Sequence, residues 1–83
     1  MTLTIYTKPN CPNCVILKNR LDQKQVEYDT IELNFGQETT NTIIEVVDFK
    51  TKFPGVTTMP FFETEIHGQK ITGGITQALK LFC

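Results

Sequence analysis

Two cysteines separated by a proline and an asparagine, Cys11-Pro12-Asn13-Cys14, stand where an alternating β run gives way to a helical stripe. Leu3-Thr4-Ile5-Tyr6-Thr7 alternates and is rich in β-formers, which predicts a strand. Lys8-Pro9-Asn10 breaks it. Pro12 falls where a first helical turn tolerates proline, because its missing N–H has no intrahelical partner there. Cys14, Leu17 and Leu21 then recur at i, i+3 and i+7, with Val15 and Ile16 widening the apolar face. Lys18, Asn19, Asp22 and Gln23 supply a wet side, and the spacing predicts a helix over residues 12–25.

The remaining segments extend this pattern. Residues 26–33 read as a second strand, closed by Asn34-Phe35-Gly36. Residues 42–49 are β-branched, yet Thr42 with Glu45 three positions later makes a capping-box pattern. Ile43 and Ile44 also pair with Val47 at helical spacing, so a helix is predicted there. The Ile43-Ile44-Val46-Val47 cluster is expected to be core, and Phe53-Pro54-Gly55 ends the segment. Residues 61–66 and 69–72 predict two strands around His67-Gly68, a two-residue hairpin turn. After Gly73-Gly74, residues 75–82 predict a closing helix with Ala78, Leu79 and Phe82 as its apolar face. The expected order is β-α-β-α-β-β-α, with one right-handed parallel βαβ unit and a final antiparallel hairpin.

Size and charge narrow the function. Eighty-three residues make one domain, 1–83, with one modest core. A net charge of −1 sets up no basic field for nucleic acid or anionic lipid. No apolar run approaches the ~20 residues that span a bilayer. The N-terminal MTLTIYTKPN carries neither the basic nor the apolar region of a secretory signal, so a cytoplasmic protein is expected. Three cysteines, Cys11, Cys14 and Cys83, are too few for a secreted disulfide framework.

A Cys-x-x-Cys pair in such a chain points to redox chemistry or to metal. Zinc would need two more ligands from His67, Cys83 or carboxylates, and no second Cys-x-x-Cys or histidine pair is present, so no metal site is expected. A non-catalytic zinc-binding or interaction module stays as the alternative of another class, and spacing alone leaves inert buried cysteines open. Redox chemistry fits the setting better. At the start of a helix, free N–H groups and the positive end of the dipole face the Cys11 sulfur and favour thiolate, the nucleophilic form. Lys8, three residues earlier, adds positive charge. Cys14 lies on the apolar stripe and is expected to be less exposed. Cys11 would attack a substrate disulfide, and Cys14 would release the product.

The stretch Tyr6-Thr7-Lys8-Pro9-Asn10-Cys11-Pro12-Asn13-Cys14 resembles the opening of glutaredoxins, which carry Tyr-Thr-Lys, two variable residues and Cys-Pro-Tyr-Cys. Thr57-Thr58-Met59-Pro60 resembles their Thr-Val-Pro segment, and Gly73-Gly74 the Gly-Gly that opens their last helix. The resemblance runs through essentially the whole chain. It implies the thioredoxin fold, α/β, with a four-stranded mixed sheet flanked by three helices. It implies Cys11 and Cys14 as the catalytic dithiol, with Lys8, Pro12 and a cis Pro60 as auxiliaries. Lys8, Asn13, Thr58, Met59, Pro60, Gly74, Ile75 and Thr76 would form the glutathione or substrate site. Glutathione would be a co-substrate, with no tightly bound cofactor.

Three positions depart from the family. Its active-site Tyr is Asn13, its usual Asp is Thr76, and its frequent Arg or Gln is Val56. A related group, the glutaredoxin-like redoxins, serves ribonucleotide reductase and takes electrons from thioredoxin reductase. That group usually lacks Pro12 and opens its last helix with Gly-Phe and a basic residue, so Pro12 and Gly73-Gly74 favour the glutaredoxin side. The expected partners are glutathione or thioredoxin reductase and disulfide-containing clients, ribonucleotide reductase among them. A monomer is expected. His67 is expected at the surface with positive φ, Phe61 and Phe62 in the strand core, and Cys83 exposed without a catalytic role.

Overall fold

The structure, a computed structural model, describes residues 2–83. Its elements run β1 Thr2–Thr7, α1 Pro12–Gln23, β2 Asp29–Leu33, β3 Thr42–Ile44, α2 Val46–Lys52, β4 Phe61–Ile66, β5 Gln69–Gly74 and α3 Ile75–Phe82. The sheet order is β3-β2-β1-β4-β5. β1, β2 and β3 run parallel, and β4 and β5 join antiparallel. This is the expected mixed α/β thioredoxin-type architecture with three helices, but the sheet has five strands rather than four.

The extra strand corrects the reading of residues 42–49. Thr42, Ile43 and Ile44 pair with Ile31, Glu32 and Leu33 of β2, and the helix begins only at Val46. Three β-branched residues met an open sheet edge, and the ladder prevailed over the helical spacing. The Glu45 carboxylate makes no capping bond and instead accepts from Asn34 Nδ2 at 2.8 Å. Ile44 and Val46 do pack inward, whereas Ile43 and Val47 are exposed, so only half of that cluster is core.

β1 is the central strand and is covered on both sides, so that Leu3, Ile5, Tyr6 and Thr7 are all buried. On one face Ile5 and its β4 partner Phe62 meet Leu17 and Leu21 of α1 and Ala78 of α3. On the other, Tyr6 and its partner Phe61 meet Leu33 and Phe49 of α2. Phe49 and Phe53 stand 5.2 and 5.3 Å from the Tyr6 ring, and Lys52 Nζ lies 5.3 Å from the Phe53 ring centre. Lys52 also donates to Tyr6 Oη at 3.3 Å, which raises its pKa.

α1 stops at Gln23 rather than at Gln25. The Gln25 N–H donates to the Asp22 carbonyl and the Val26 N–H to the Leu21 carbonyl, with Gln25 at φ +57°. That is a Schellman closure, and Val26 packs onto the α1 side of the core. Val15 and Ile16 are exposed and do not widen the buried face, which consists of Cys14, Leu17 and Leu21. The β4–β5 hairpin turns through His67 and Gly68, both at positive φ, as a type I′ turn requires. Gly73 brings α3 against the sheet. A Cβ there would come within 2.9 Å of Gln77 Cβ and 3.0 Å of Phe62 Cε1.

Candidate functional site

Three segments converge at the C-terminal end of β1. Asn10, at φ +56°, turns the chain out of the strand, a conformation asparagine tolerates well. Cys11 then caps α1 in an extended conformation with Pro12 as the first helical residue. The cap puts the Cys14 amide 3.2 Å from Cys11 Sγ, with the N–H donating to sulfur. No carboxylate stands in the first turn of α1 to oppose the helix dipole.

Cys11 and Cys14 are joined as a disulfide with their Cα atoms 5.3 Å apart, and they are 7% and 3% exposed. Both cysteines are buried, and Cys14 packs on the same helix face as Leu17 and Leu21. On the far side, Cys11 Sγ lies 3.7 Å from the Met59 carbonyl oxygen. Met59-Pro60 is a cis peptide, and Pro60 is fully buried beneath it.

One recess opens onto the pair and a second lies beyond Lys8 and Met59. The first, of about 630 Å³, is lined by Thr7, Lys8, Cys11, Cys14, Lys18 and Glu32, among others. Glu32 enters it because β2 lies beside β1 with Thr7 opposite Glu32. Asn41 and Gln37 donate amide hydrogens to its carboxylate at 2.9 and 3.1 Å, and these bonds hold its pKa below the ordinary glutamate value. The second recess, of about 320 Å³, runs from Lys8 past Met59 to Phe35 and Val46. Lys8 is exposed and forms the ridge between them.

Cys11, Cys14, Lys8, Pro12, Met59 and Pro60 are therefore brought together. Asn13 is exposed on the first turn of α1. Thr58 is exposed and lines neither recess, whereas Thr57 beside it does. Gly74, Ile75 and Thr76 start α3 and also line neither recess. Gly74 pairs with Phe61, the residue after Pro60, and its N–H is capped by Gln77 Oε1 at 3.1 Å. The sequence reading missed Glu32, Lys18, Phe35 and Lys50. The register of β2 against β1 brings in Glu32, the turn after β2 brings in Phe35, and the placement of α1 and α2 brings in Lys18 and Lys50. Among the described residues no group of three or more His, Cys, Asp or Glu is arranged to hold a metal.

Known proteins share the stretch that builds this site. The family model described as Glutaredoxin matches residues 3–60, a stretch that holds the cysteine pair and Met59-Pro60 and ends before Gly73-Gly74. Glutaredoxin 1 of Rickettsia felis is 39% identical over 56 residues, covering 66% of this chain and 55% of that protein. Glutaredoxin 1 of Rickettsia conorii is 38% identical over 56 residues with the same coverage. Glutaredoxin 1 of Rickettsia typhi is 39% identical, with 54% of its length covered. The chain spans about half the length of these curated relatives.

Proposed function

The chain belongs to the glutaredoxin family, and on that premise we propose that it reduces protein disulfides or glutathione mixed disulfides, with Cys11 attacking and Cys14 resolving. The observation that supports this division of labour is the asymmetry of the pair: Cys11 caps a helix and receives an amide N–H, while Cys14 lies on the buried face of that helix with Leu17 and Leu21. In the dithiol form the Cys11 thiolate attacks one sulfur of the client disulfide. A Cys11–client bond forms, and the client's second sulfur leaves as thiolate and takes a proton. The Cys14 thiolate then attacks Cys11 Sγ, the Cys11–Cys14 bond forms and the first client sulfur leaves. The client gains two electrons and this chain's dithiol loses them.

Glutathione is the reductant we infer, with Lys8 meeting a carboxylate and the Met59 backbone holding the extended tripeptide beside Cys11. Thr58, Asn13 and the start of α3 at Gly74, Ile75 and Thr76 would complete that site, α3 offering its N–H groups to a second carboxylate. Thioredoxin reductase is the second reading, favoured by the uncharged Val56 in the recess beside Lys8. In this scheme residues 1–83 act as one domain and one chain suffices, since it carries both sulfurs. A reducing cytoplasm would recharge the dithiol, and ribonucleotide reductase is one client to test.

The test is NADPH consumption with a small mixed disulfide, coupled either to glutathione with glutathione reductase or to thioredoxin reductase. Turnover that disappears in Cys11→Ser is expected, with the glutathione couple the faster. Absence of turnover in both couples, or full turnover in Cys11→Ser, refutes the proposal.

A further inference from the structure

The recess beyond Lys8 is built for more than a glutathione carboxylate. Its walls are Phe35, Val46, Phe49, Val56 and Met59, and its rim carries Lys8 and Lys50. Phe35 is 60% exposed. An exposed phenylalanine on a slack loop would mean little, but this one sits on a turn tied at several points. The Phe35 N–H donates to Gln37 Oε1 at 2.8 Å and the Gly36 N–H to Asn34 Oδ1 at 3.0 Å. Gln37 Nε2 donates to the Leu33 carbonyl at 2.9 Å, and Asn34 reaches Glu45. The ring is therefore held out at the recess with little ordering cost left for a ligand. Among the described residues the one ion pair is Lys70–Glu63, so Lys8 and Lys50 face the recess without a carboxylate partner.

We propose that this recess selects the protein client: it takes an extended segment with a bulky apolar residue next to the reactive cysteine and an acidic residue beside it. This rests on the disulfide-reductase reading above. Met59 joins the two parts of the site, since its carbonyl is 3.7 Å from Cys11 Sγ and it also lines the recess. An extended chain advances roughly 3.3 Å per residue, so a client cysteine at Cys11 carries the residues next to it along Met59 toward the recess and its lysine rim. Apolar contact with Phe35 and Val56 supplies affinity, and Lys8 and Lys50 supply charge preference.

The test uses the dithiol form of the full chain and three thionitrobenzoate mixed disulfides, followed by release of the coloured thiolate. One carries acetyl-Glu-Leu-Cys-Gly-amide, one acetyl-Gln-Ser-Cys-Gly-amide and one 2-mercaptoethanol. Thionitrobenzoate is the better leaving group in each, so attack falls on the other sulfur. The Glu-Leu peptide is expected to react about tenfold faster than the Gln-Ser peptide, the scale of one modest pocket contact. That ratio should fall toward one in Phe35→Asp and in Lys50→Glu. It should persist in Lys24→Glu, which changes the net charge equally but sits at the far end of α1. Equal rates for both peptides, or a ratio that survives both recess variants, overturn the proposal while leaving the reductase reading intact. No release from any of the three, the mercaptoethanol disulfide included, refutes the reductase reading and this inference with it.

Discussion

The Cys14 amide nitrogen lies 3.2 Å from Cys11 Sγ, so the residue proposed to resolve contributes its backbone to the sulfur that its side chain would attack. The two contributions are separable. Cys14→Ser keeps the N–H donor and removes only the second thiol. Alkylation of Cys11 by iodoacetamide should continue at a rate close to wild type, because thiolate and not thiol is the reactive form. Turnover with a protein disulfide should stop at the mixed disulfide, visible as one client mass added in intact mass spectrometry. A free client product in normal yield would show that Cys14 does not resolve.

Gly73→Ala should destabilise the fold by about 1–3 kcal/mol, the cost of forcing extra volume into a packed contact. The added carbon meets Gln77 Cβ at 2.9 Å and Phe62 Cε1 at 3.0 Å, and Phe62 is fully buried, so relief requires α3 to move away from β5. Urea unfolding of the two proteins measures this directly.

Gln25→Gly should act in the opposite sense. Gln25 occupies the left-handed position of the Schellman closure at φ +57°, where a β-carbon is penalised. Removing that carbon should stabilise by about 0.5–1 kcal/mol, after the larger chain entropy of glycine is deducted. A higher urea midpoint with an unchanged slope is the expected result.

Alkaline stability should depend on Tyr28. Partial burial, the hydrogen bond from its Oη to Asp22 Oδ1 at 3.0 Å and the Asp22 charge push its pKa from 10.0 up to about 12. The folded state therefore holds the phenol proton more tightly than the unfolded chain does. The stabilisation is complete below the ordinary value of 10.0 and is lost as pH rises toward about 12. Tyr28→Phe should flatten that part of the stability–pH curve, and an unchanged slope would show that Tyr28 does not contribute.

The cysteine site was legible because its signals are local. Pro12 after Cys11 marks a helix start, and Cys14, Leu17 and Leu21 mark its buried face, as the structure has them. The His67-Gly68 turn and α3 were equally local and were read correctly. What sequence did not show depended on distant partners. Thr42, Ile43 and Ile44 are ambiguous between helix and strand until the edge of β2 is available to them. Val15 and Ile16 look like core residues but stay exposed, because α1 is covered only along the line of Cys14, Leu17 and Leu21. Gln25 ends α1 without the glycine that usually announces such a closure. Glu32 and Lys50 reach the site only through strand register and helix placement.

The site is a seam between two layers. The cysteines belong to α1, whose buried face rests on Ile5 and Phe62, while Met59 rests with Tyr6, Phe49 and Phe61 on the opposite side of the sheet. Each wall of the cleft is thus anchored in its own half of the interior. Substitutions beneath Met59 can reshape what the cleft grips while the capped sulfur keeps its setting. In a reductase of this build, client choice and sulfur chemistry would answer to different halves of the core.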